Sequence, residues 1–176
     1  MTDEPLAPSH SGRALLSSAQ IHHVLRVEFG RARRHRYPLT CLVIAVDRLE
    51  ILRDRLGYEA KELAVDAVVA LLRRTTRSSD TLGRTADDRL IAVVPHTEGD
   101  GRRVLCRRIV ELAREIRLDR LAEPFPVALS IGAASTVAAT SMFHDALLAA
   151  AESALAEAVA AGGDRFAERE SAAPVP

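Results

Sequence analysis

Two pairs of polar residues are of a type and spacing that could bind a metal ion or a polar ligand. Asp87 and Asp88 lie between two short apolar segments and could hold a lone Mg²⁺, because this hard cation prefers oxygen ligands. An exposed turn explains the same acidic pair, since Asp is common in turns. Arg77 and Asp80 stand three positions apart. They could bind a polar ligand, or form an ordinary surface ion pair worth roughly 0 to 1 kcal/mol.

The other reactive residue types are scarce, and packing explains them better than catalysis. Lys61 is the only lysine and lies in a segment that we interpret as helix surface, which argues against Schiff-base chemistry. Cys41 and Cys106 each lie in an apolar segment, so we expect neither a disulfide framework nor a cysteine metal site. His22 and His23 are adjacent and would point to different sides of a helix, which disfavours joint metal binding.

The composition is typical of one compact domain in the reducing cytoplasm. The chain has 176 residues, of which 48% are hydrophobic, and its 24 basic and 24 acidic residues give a net charge of zero. No global field therefore favours nucleic acid or an anionic membrane, and no stretch suits a signal peptide or a membrane span. We expect a cytoplasmic domain at residues 13–167, with flexible tails at 1–12 and 168–176.

Helices and short strands alternate irregularly along the chain. The continuous run of branched apolar residues at Leu39–Val46 predicts a central strand that is covered on both faces. These strands are too few for a doubly wound parallel sheet, so we expect an α+β sandwich. Periodicity and turn signals predict helices over 13–36, 48–76 with a break near Gly57, 99–117 and 143–161, and further strands over 81–85, 90–95, 127–134 and 165–166.

Four segments match the motifs of one protein family in order and spacing. The first strand and its continuation read Val43-Ile44-Ala45-Val46-Asp47-Arg48-Leu49-Glu50, where the family has a pattern like L-I-D-L-D-x-F-K. The hairpin reads Arg84-Thr85-Ala86-Asp87-Asp88-Arg89-Leu90 in place of R-Y-G-G-D/E-E-F. The next strand ends in Pro95, and Val127 to Ala133 match T-V-S-I-G-V-A. Residues 15–166 thus resemble the GGDEF domain of diguanylate cyclases, which implies a nucleotide-cyclase-like sandwich with a central, mostly antiparallel sheet flanked by helices.

The resemblance also implies a metal site that this sequence has largely lost. A cyclase of this family joins two GTP molecules with two divalent metal ions, which are held by an aspartate on the first strand and an acidic residue in the hairpin. Here the strand position is Ala45. Asp88 keeps the hairpin carboxylate, but the next residue, acidic in the family, is Arg89, whose charge would oppose metal binding. We therefore expect no bound metal, no cofactor and no catalytic residue.

Other positions of the catalytic site differ as well. Ala86 and Asp87 replace the paired glycines of the hairpin, although Asp tolerates the left-handed region and the turn can still form. The loss of several cooperating groups predicts an inactive cyclase. Arg53 and Glu62 stand at the positions that read guanine, Val159 stands in place of the phosphate-binding lysine, and Gly163 stands in place of the arginine of the closing G-R-N.

The inhibitory site of the family is retained. Arg77-Ser78-Ser79-Asp80 matches its R-x-x-D motif, and Arg108 and Arg31 match two further arginines of that site. In active relatives this surface binds cyclic di-GMP, and the arginine that matches Arg31 reaches it from a neighbouring domain. The chemistry suits the residue types, because a guanidinium can pair with guanine O6 and N7 and a carboxylate can accept from N1–H and N2–H.

Three hypotheses about function are compatible with this sequence. The first is an inactive GGDEF-like domain that serves as a cyclic di-GMP receptor through these four residues and signals by homodimerisation or through a protein partner. The second is a dimerisation or scaffolding module that binds no nucleotide. The third is a weak cyclase that uses Asp47 and Asp88 in an altered metal arrangement, since Asp47 follows Ala45 by two residues on the same strand face.

Overall fold

Helices and strands follow one another in the order that the sequence predicts. The computed structural model describes residues 14–136 and 143–170. The helices in these ranges are α1 (Ser18–His35), α2 (Leu49–Leu56), α3 (Tyr58–Thr75), α4 (Gly99–Ala113) and α5 (His144–Ala160). The strands are β1 (Leu39–Val46), β2 (Thr81–Arg84), β3 (Leu90–Pro95), β4 (Leu129–Ser135) and β5 (Arg165–Glu170).

The strands form one sheet with β1 at its centre. Their order is β2-β3-β1-β4-β5. β1 pairs antiparallel with both β3 and β4, and β2 pairs antiparallel with β3, whereas β5 runs parallel to β4. The prediction of an α+β fold with a mostly antiparallel central sheet is confirmed.

Helices cover the sheet on both faces, as the apolar sequence of β1 predicts. Alternate side chains of a strand point to opposite faces, so a strand buried on both sides needs an uninterrupted apolar run. Leu42, Ile44 and Val46 pack into a core with α2, α3 and α4. Cys41 and Val43 pack into a second core with α1 and α5.

The first helix begins later than its periodicity predicts. Ser17 forms a capping box with Gln20, which starts α1 at Ser18 rather than near residue 13. Leu16 instead lies beside β2, where its N–H donates to the carbonyl of Leu82 at 3.0 Å and its carbonyl accepts from the N–H of Arg84 at 2.9 Å. Leu16, which the periodicity placed in the helix, therefore contributes to the edge of the sheet.

The predicted tail at 168–176 begins too early. β5 continues to Glu170, and Glu168 is tied to α4 by Arg102 at 3.0 Å and by Arg103 at 2.6 Å. Burial would raise the pKa of Glu168, but the hydrogen bonds from these two arginines outweigh it and lower the pKa. The predicted tail at 1–12 and the positions after 170 lie outside the described residues.

Other element boundaries shift by a few residues, and the two thiols are buried as predicted. α4 ends at Ala113 rather than at 117, and β4 begins at Leu129 rather than at 127. Cys41 and Cys106 are free thiols, and burial raises the pKa of each to about 12. Within the described ranges, no helix combines the length and apolarity needed to cross a bilayer.

Candidate functional site

The hairpin between β2 and β3 turns on one residue with a left-handed backbone. Asp88 has a φ of 63°, and its N–H donates to the carbonyl of Thr85 at 3.2 Å. The N–H of Thr85 donates to the carbonyl of Arg89 at 2.9 Å and closes the loop. Ala86 and Asp87 do not have positive φ values. The turn therefore forms without glycine, and an Asp takes the left-handed position.

Two cations hold the side chain of Asp88. Lys61 Nζ donates to Asp88 Oδ2 at 2.6 Å, and Arg84 Nε donates to Asp88 Oδ1 at 3.0 Å. Arg84 also forms a bidentate pair with Glu62, at 2.8 and 2.7 Å. Lys61, Glu62, Arg84 and Asp88 thus form a group of two cations and two carboxylates, which we call the hairpin charge network.

Hydrogen bonds keep the hairpin charge network ionised. The bonds from Arg84 lower the pKa of Glu62. Burial would raise the pKa of Asp88, but the bonds from Lys61 and Arg84 outweigh it, so this pKa is also lowered. The bond to Asp88 raises the pKa of Lys61, and that to Glu62 raises the pKa of Arg84. All four groups are charged at neutral pH.

Both carboxylate oxygens of Asp47 form hydrogen bonds at the end of the sheet. Its Oδ1 accepts from the hydroxyl of Ser130 at 2.6 Å, and its Oδ2 accepts from the N–H of Asp164 at 2.8 Å. A Cβ at Gly163 would lie 2.8 Å from the same Oδ2, so a side chain there would displace the Asp47 carboxylate. A metal arrangement that used Asp47 would have to break the bonds that join β4 to the turn before β5.

A cleft of about 730 Å³ lies between the end of β1, α2 and the hairpin, and we call it the hairpin cleft. Two divalent cations do not suit its residues, because Ala45 has no side-chain carboxylate and both oxygens of Asp88 already accept hydrogen bonds from cations. Arg89 pairs with Asp87, with its Nε 3.1 Å from Asp87 Oδ2. Across residues 14–136 and 143–170, no three His, Cys, Asp or Glu side chains cluster to hold a metal.

Three of the four predicted ligand residues line a second cavity. It has a volume of about 560 Å³, and we call it the Arg77 cavity. Arg77 and Asp80 come from the turn between α3 and β2, and Arg108 comes from α4. Both guanidinium groups belong to exposed residues. Pro38, Thr75, Val94, His96, Thr97, Glu98, Asp100, Gly101, Val104 and Leu105 complete the lining.

Asp80 shapes the turn that presents Arg77. The residue is only 3% exposed, so its carboxylate is buried in the fold. Asp80 Oδ2 accepts from the backbone N–H of Arg77 at 2.6 Å, and Oδ1 accepts from the hydroxyl of Ser79 at 3.4 Å. The N–H of Asp80 donates back to the carbonyl of Arg77 at 3.1 Å. The R-x-x-D spacing therefore closes a tight turn.

Arg31 lies apart from the other three residues. It stands on α1 with its side chain 66% exposed, and its nearest acidic partner is Glu28 at 3.5 Å. It does not line the Arg77 cavity. The structure therefore does not bring Arg31 together with Arg77, Asp80 and Arg108 in that cavity.

An aromatic pair adjoins the Arg77 cavity. The centroids of the Tyr37 and His96 rings lie 4.1 Å apart, and the backbone N–H of His96 donates to the carbonyl of Pro38 at 2.8 Å. The hydroxyl of Tyr37 donates to Glu28 Oε1 at 2.5 Å. The pKa of Tyr37 is raised to about 12, mainly by burial and secondly by this hydrogen bond, so the phenol stays neutral. His96 thus gives the cavity a fixed aromatic edge.

Comparison with protein-family models identifies the family to which this chain belongs. The model described as "Diguanylate cyclase, GGDEF domain" matches residues 14–165. The chain belongs to the GGDEF domain family. A search of curated proteins finds no match to this sequence.

Solved GGDEF domains share the fold at low sequence identity. The coiled coil and GGDEF domain of DgcB from Caulobacter crescentus, in complex with c-di-GMP, superposes with a TM-score of 0.81 at 14% identity, over 88% of this chain and 82% of that chain. The GGDEF domain of TpbB or YfiN from Pseudomonas aeruginosa superposes with a TM-score of 0.79 at 24% identity, over 93% and 94% of the two chains. The active GGEEF domain of a Vibrio cholerae diguanylate cyclase gives 0.81 at 20%, over 88% and 97%.

Sequence reasoning missed the role of Lys61 in this GGDEF domain. The residue is 8% exposed rather than on a helix surface, and its ammonium also lies 4.6 Å from the centroid of the Tyr58 ring. A signal was available, because Lys61 precedes the buried Ala64 and Val65 by three and four residues and so shares their helix face. Asp88 was also misjudged, since its side chain is 27% exposed and bound to Lys61 rather than free in an exposed turn.

Proposed function

We propose that this GGDEF domain is a catalytically inactive receptor for cyclic di-GMP. The ligand binds in the Arg77 cavity, where Arg77, Asp80 and Arg108 contact it, and Arg31 of a neighbouring copy completes the site. One observation carries the proposal: residues from the α3–β2 turn and from α4, about thirty positions apart in the chain, line the same cavity. Both of its arginines are exposed.

The residues of the Arg77 cavity suit a guanine dinucleotide. A guanidinium can form two hydrogen bonds with guanine O6 and N7, stack on the purine face, or pair with a phosphodiester. Asp80 lines the same cavity, and a carboxylate is the kind of acceptor that guanine N1–H and N2–H groups need. The ring of His96 and the exposed side chain of Val104 offer surfaces for a flat base.

Related GGDEF domains support this class of ligand. Two structures of DgcB contain c-di-GMP, and another microbial GGDEF domain is described in a novel interaction mode with bis-(3′,5′)-cyclic di-GMP. A further relative, the diguanylate cyclase SiaD, is in complex with its activator SiaC, which supports a protein as one kind of partner for this domain.

Three features of the hairpin cleft support the inactive state. Ala45 removes the strand carboxylate, Asp88 is held by two cations, and Val159 puts an apolar side chain where the family has a phosphate-binding lysine. Asp47 cannot replace the missing ligand without losing its bonds to Ser130 and Asp164. Each feature removes charge stabilisation that GTP phosphates would need.

Isothermal titration with cyclic di-GMP tests the receptor. The wild type is expected to bind with a micromolar or lower Kd, about −8 kcal/mol or better. Arg77→Ala and Arg108→Ala should each weaken binding about 10- to 100-fold, because one guanine contact contributes roughly 1 to 3 kcal/mol. Arg107→Ala is the matched control, since Arg107 is an exposed neighbour on α4 that does not line the cavity.

Three outcomes would contradict the proposal. Equal binding by wild type and Arg77→Ala would place the ligand elsewhere. No heat with cyclic di-GMP, combined with a stable oligomer in light scattering, would favour a dimerisation module that binds no nucleotide. In the same series, incubation with GTP and Mg²⁺ or Mn²⁺ should yield no dinucleotide, and any product would revive the weak cyclase.

A further inference from the structure

The hairpin charge network places a cation of the protein itself on the carboxylate where the family places a metal. We propose that the ammonium of Lys61 takes the place of a divalent cation at Asp88, so that one side chain closes the hairpin cleft to metal. This inference goes beyond the receptor proposal and does not depend on it, because no residue lines both the hairpin cleft and the Arg77 cavity.

The position of the ammonium is that of a bridging cation. Lys61 Nζ lies between two carboxylates, 2.6 Å from Asp88 Oδ2 and 3.5 Å from Glu62 Oε1. The lysine side chain is only 10% exposed. Lysine suits this position because its ammonium is a compact point charge with three donors, whereas an arginine fork would need a wider site.

The helix alone does not favour a cation at this position. Lys61 lies in the first turn of α3, where the helix dipole disfavours positive charge. The attraction that holds the ammonium there therefore comes from the two carboxylates and from the face of the Tyr58 ring. This arrangement joins α3 to the hairpin across 27 positions of the chain.

The charge balance explains why a metal ion is excluded. Lys61 and Arg84 neutralise Glu62 and Asp88, so a divalent ion would add two charges to a neutral group and compete with a bound ammonium. Without Lys61 the group would carry one net negative charge, and Asp88 Oδ2 would be available. Mg²⁺ and similar ions are commonly bound by one or two carboxylates together with water.

Manganese binding followed by electron paramagnetic resonance tests this inference without nucleotide. The wild type should not bind Mn²⁺ at the hairpin. Lys61→Met, which fills the space with an apolar side chain of similar length, should bind one ion at least about tenfold more tightly. The double variant Lys61→Met with Asp88→Asn should lose that ion. Circular dichroism checks the fold, and Lys61→Gln is titrated instead if the methionine variant does not fold.

Arg89→Met is the matched control for a general effect of positive charge. Arg89 also lines the hairpin cleft but pairs with Asp87, so its removal should leave Mn²⁺ binding at the wild-type level. Wild-type binding that Asp88→Asn abolishes, or an equal gain in Arg89→Met and Lys61→Met, would overturn the inference. Failure of the receptor proposal would appear only in the cyclic di-GMP titration and would leave the Mn²⁺ result unchanged.

Discussion

At the scale of single residues, the carboxylates of this domain stabilise arginines and a lysine that are partly or fully buried. The carboxylate of Asp88 accepts hydrogen bonds from Lys61 and Arg84. The carboxylate of Glu168 pairs with Arg102, whose side chain is 4% exposed. Removing one partner of such a pair leaves a charge with incomplete compensation, which costs more than the intact pair contributes. These carboxylates therefore affect stability although they lie at the margin of the core.

Asp88→Asn should lower the free energy of unfolding by about 1 to 2 kcal/mol near neutral pH, because an amide replaces a carboxylate that two cations contact. The pKa of Asp88 is lowered in the folded state, so its contribution is present above the ordinary value of 3.8 and is lost as the pH falls below it. Urea denaturation of both proteins should show a difference that shrinks in acid. A difference independent of pH would contradict the ionic explanation.

Asp87→Asn is the control for this measurement. Asp87 is 59% exposed and pairs only with the exposed Arg89 among the recorded ion pairs of the described residues. An exposed pair of this kind contributes roughly 0 to 1 kcal/mol, so the variant should unfold close to the wild type at every pH.

At the scale of elements, α5 approaches the sheet closely enough to require glycine. A Cβ on Gly132 of β4 would meet the carbonyl of Ala151 and the N–H of Leu155, and would lie 2.7 Å from Leu155 Cα. These atoms belong to the backbone of a helix and cannot move aside as a flexible side chain would. Ala151 and Ala154 of α5 are fully buried, and their small side chains permit this approach.

Gly132→Ala should destabilise the domain by about 1 to 3 kcal/mol or more, because the added methyl group forces α5 away from the sheet. Thermal unfolding of the variant measures the loss. Gly30→Ala is the matched control, since the same substitution on α1 meets nothing within 4 Å and should stabilise the helix by roughly 0.5 to 1 kcal/mol. Equal effects of the two substitutions would show that α5 does not pack as described.

At the scale of the whole molecule, the two cavities lie on separate sets of residues. The hairpin cleft contains the motif positions that the resemblance assigns to catalysis, and the Arg77 cavity contains the proposed receptor site. Arg31 lies on α1 and lines neither cavity. A site that needs Arg31 is therefore incomplete in one copy, which links ligand binding to association.

Cyclic di-GMP should shift the domain from monomer to dimer in light scattering, because the bound ligand presents a surface that Arg31 of a second copy contacts. Arg31→Ala should reduce this shift and weaken binding by about 5- to 10-fold, consistent with one charge-assisted contact at an exposed position. Arg26→Ala, another exposed arginine on α1, should behave as the wild type. An unchanged mass at saturating ligand would contradict the role given to Arg31.

The amino-acid sequence by itself determined the features that depend on local pattern. The bounds of β1 at Leu39–Val46, the break at Gly57, the hairpin between β2 and β3 and the order of the family motifs all follow from periodicity and turn residues within short windows. Side-chain alternation and turn preferences are properties of neighbouring residues, so no partner from elsewhere in the chain is needed to read them.

Tertiary structure alone decided which distant groups meet. Leu16 joins the edge of β2 rather than α1, Glu168 reaches Arg102 across 66 positions, and Lys61 reaches Asp88 across 27. Composition and spacing cannot specify such pairs. A lysine on a helix face has the same sequence pattern whether its ammonium is solvated or is bound to a carboxylate from elsewhere in the chain. The partner is chosen by how the hairpin packs against α3, and that packing depends on the core of the whole domain.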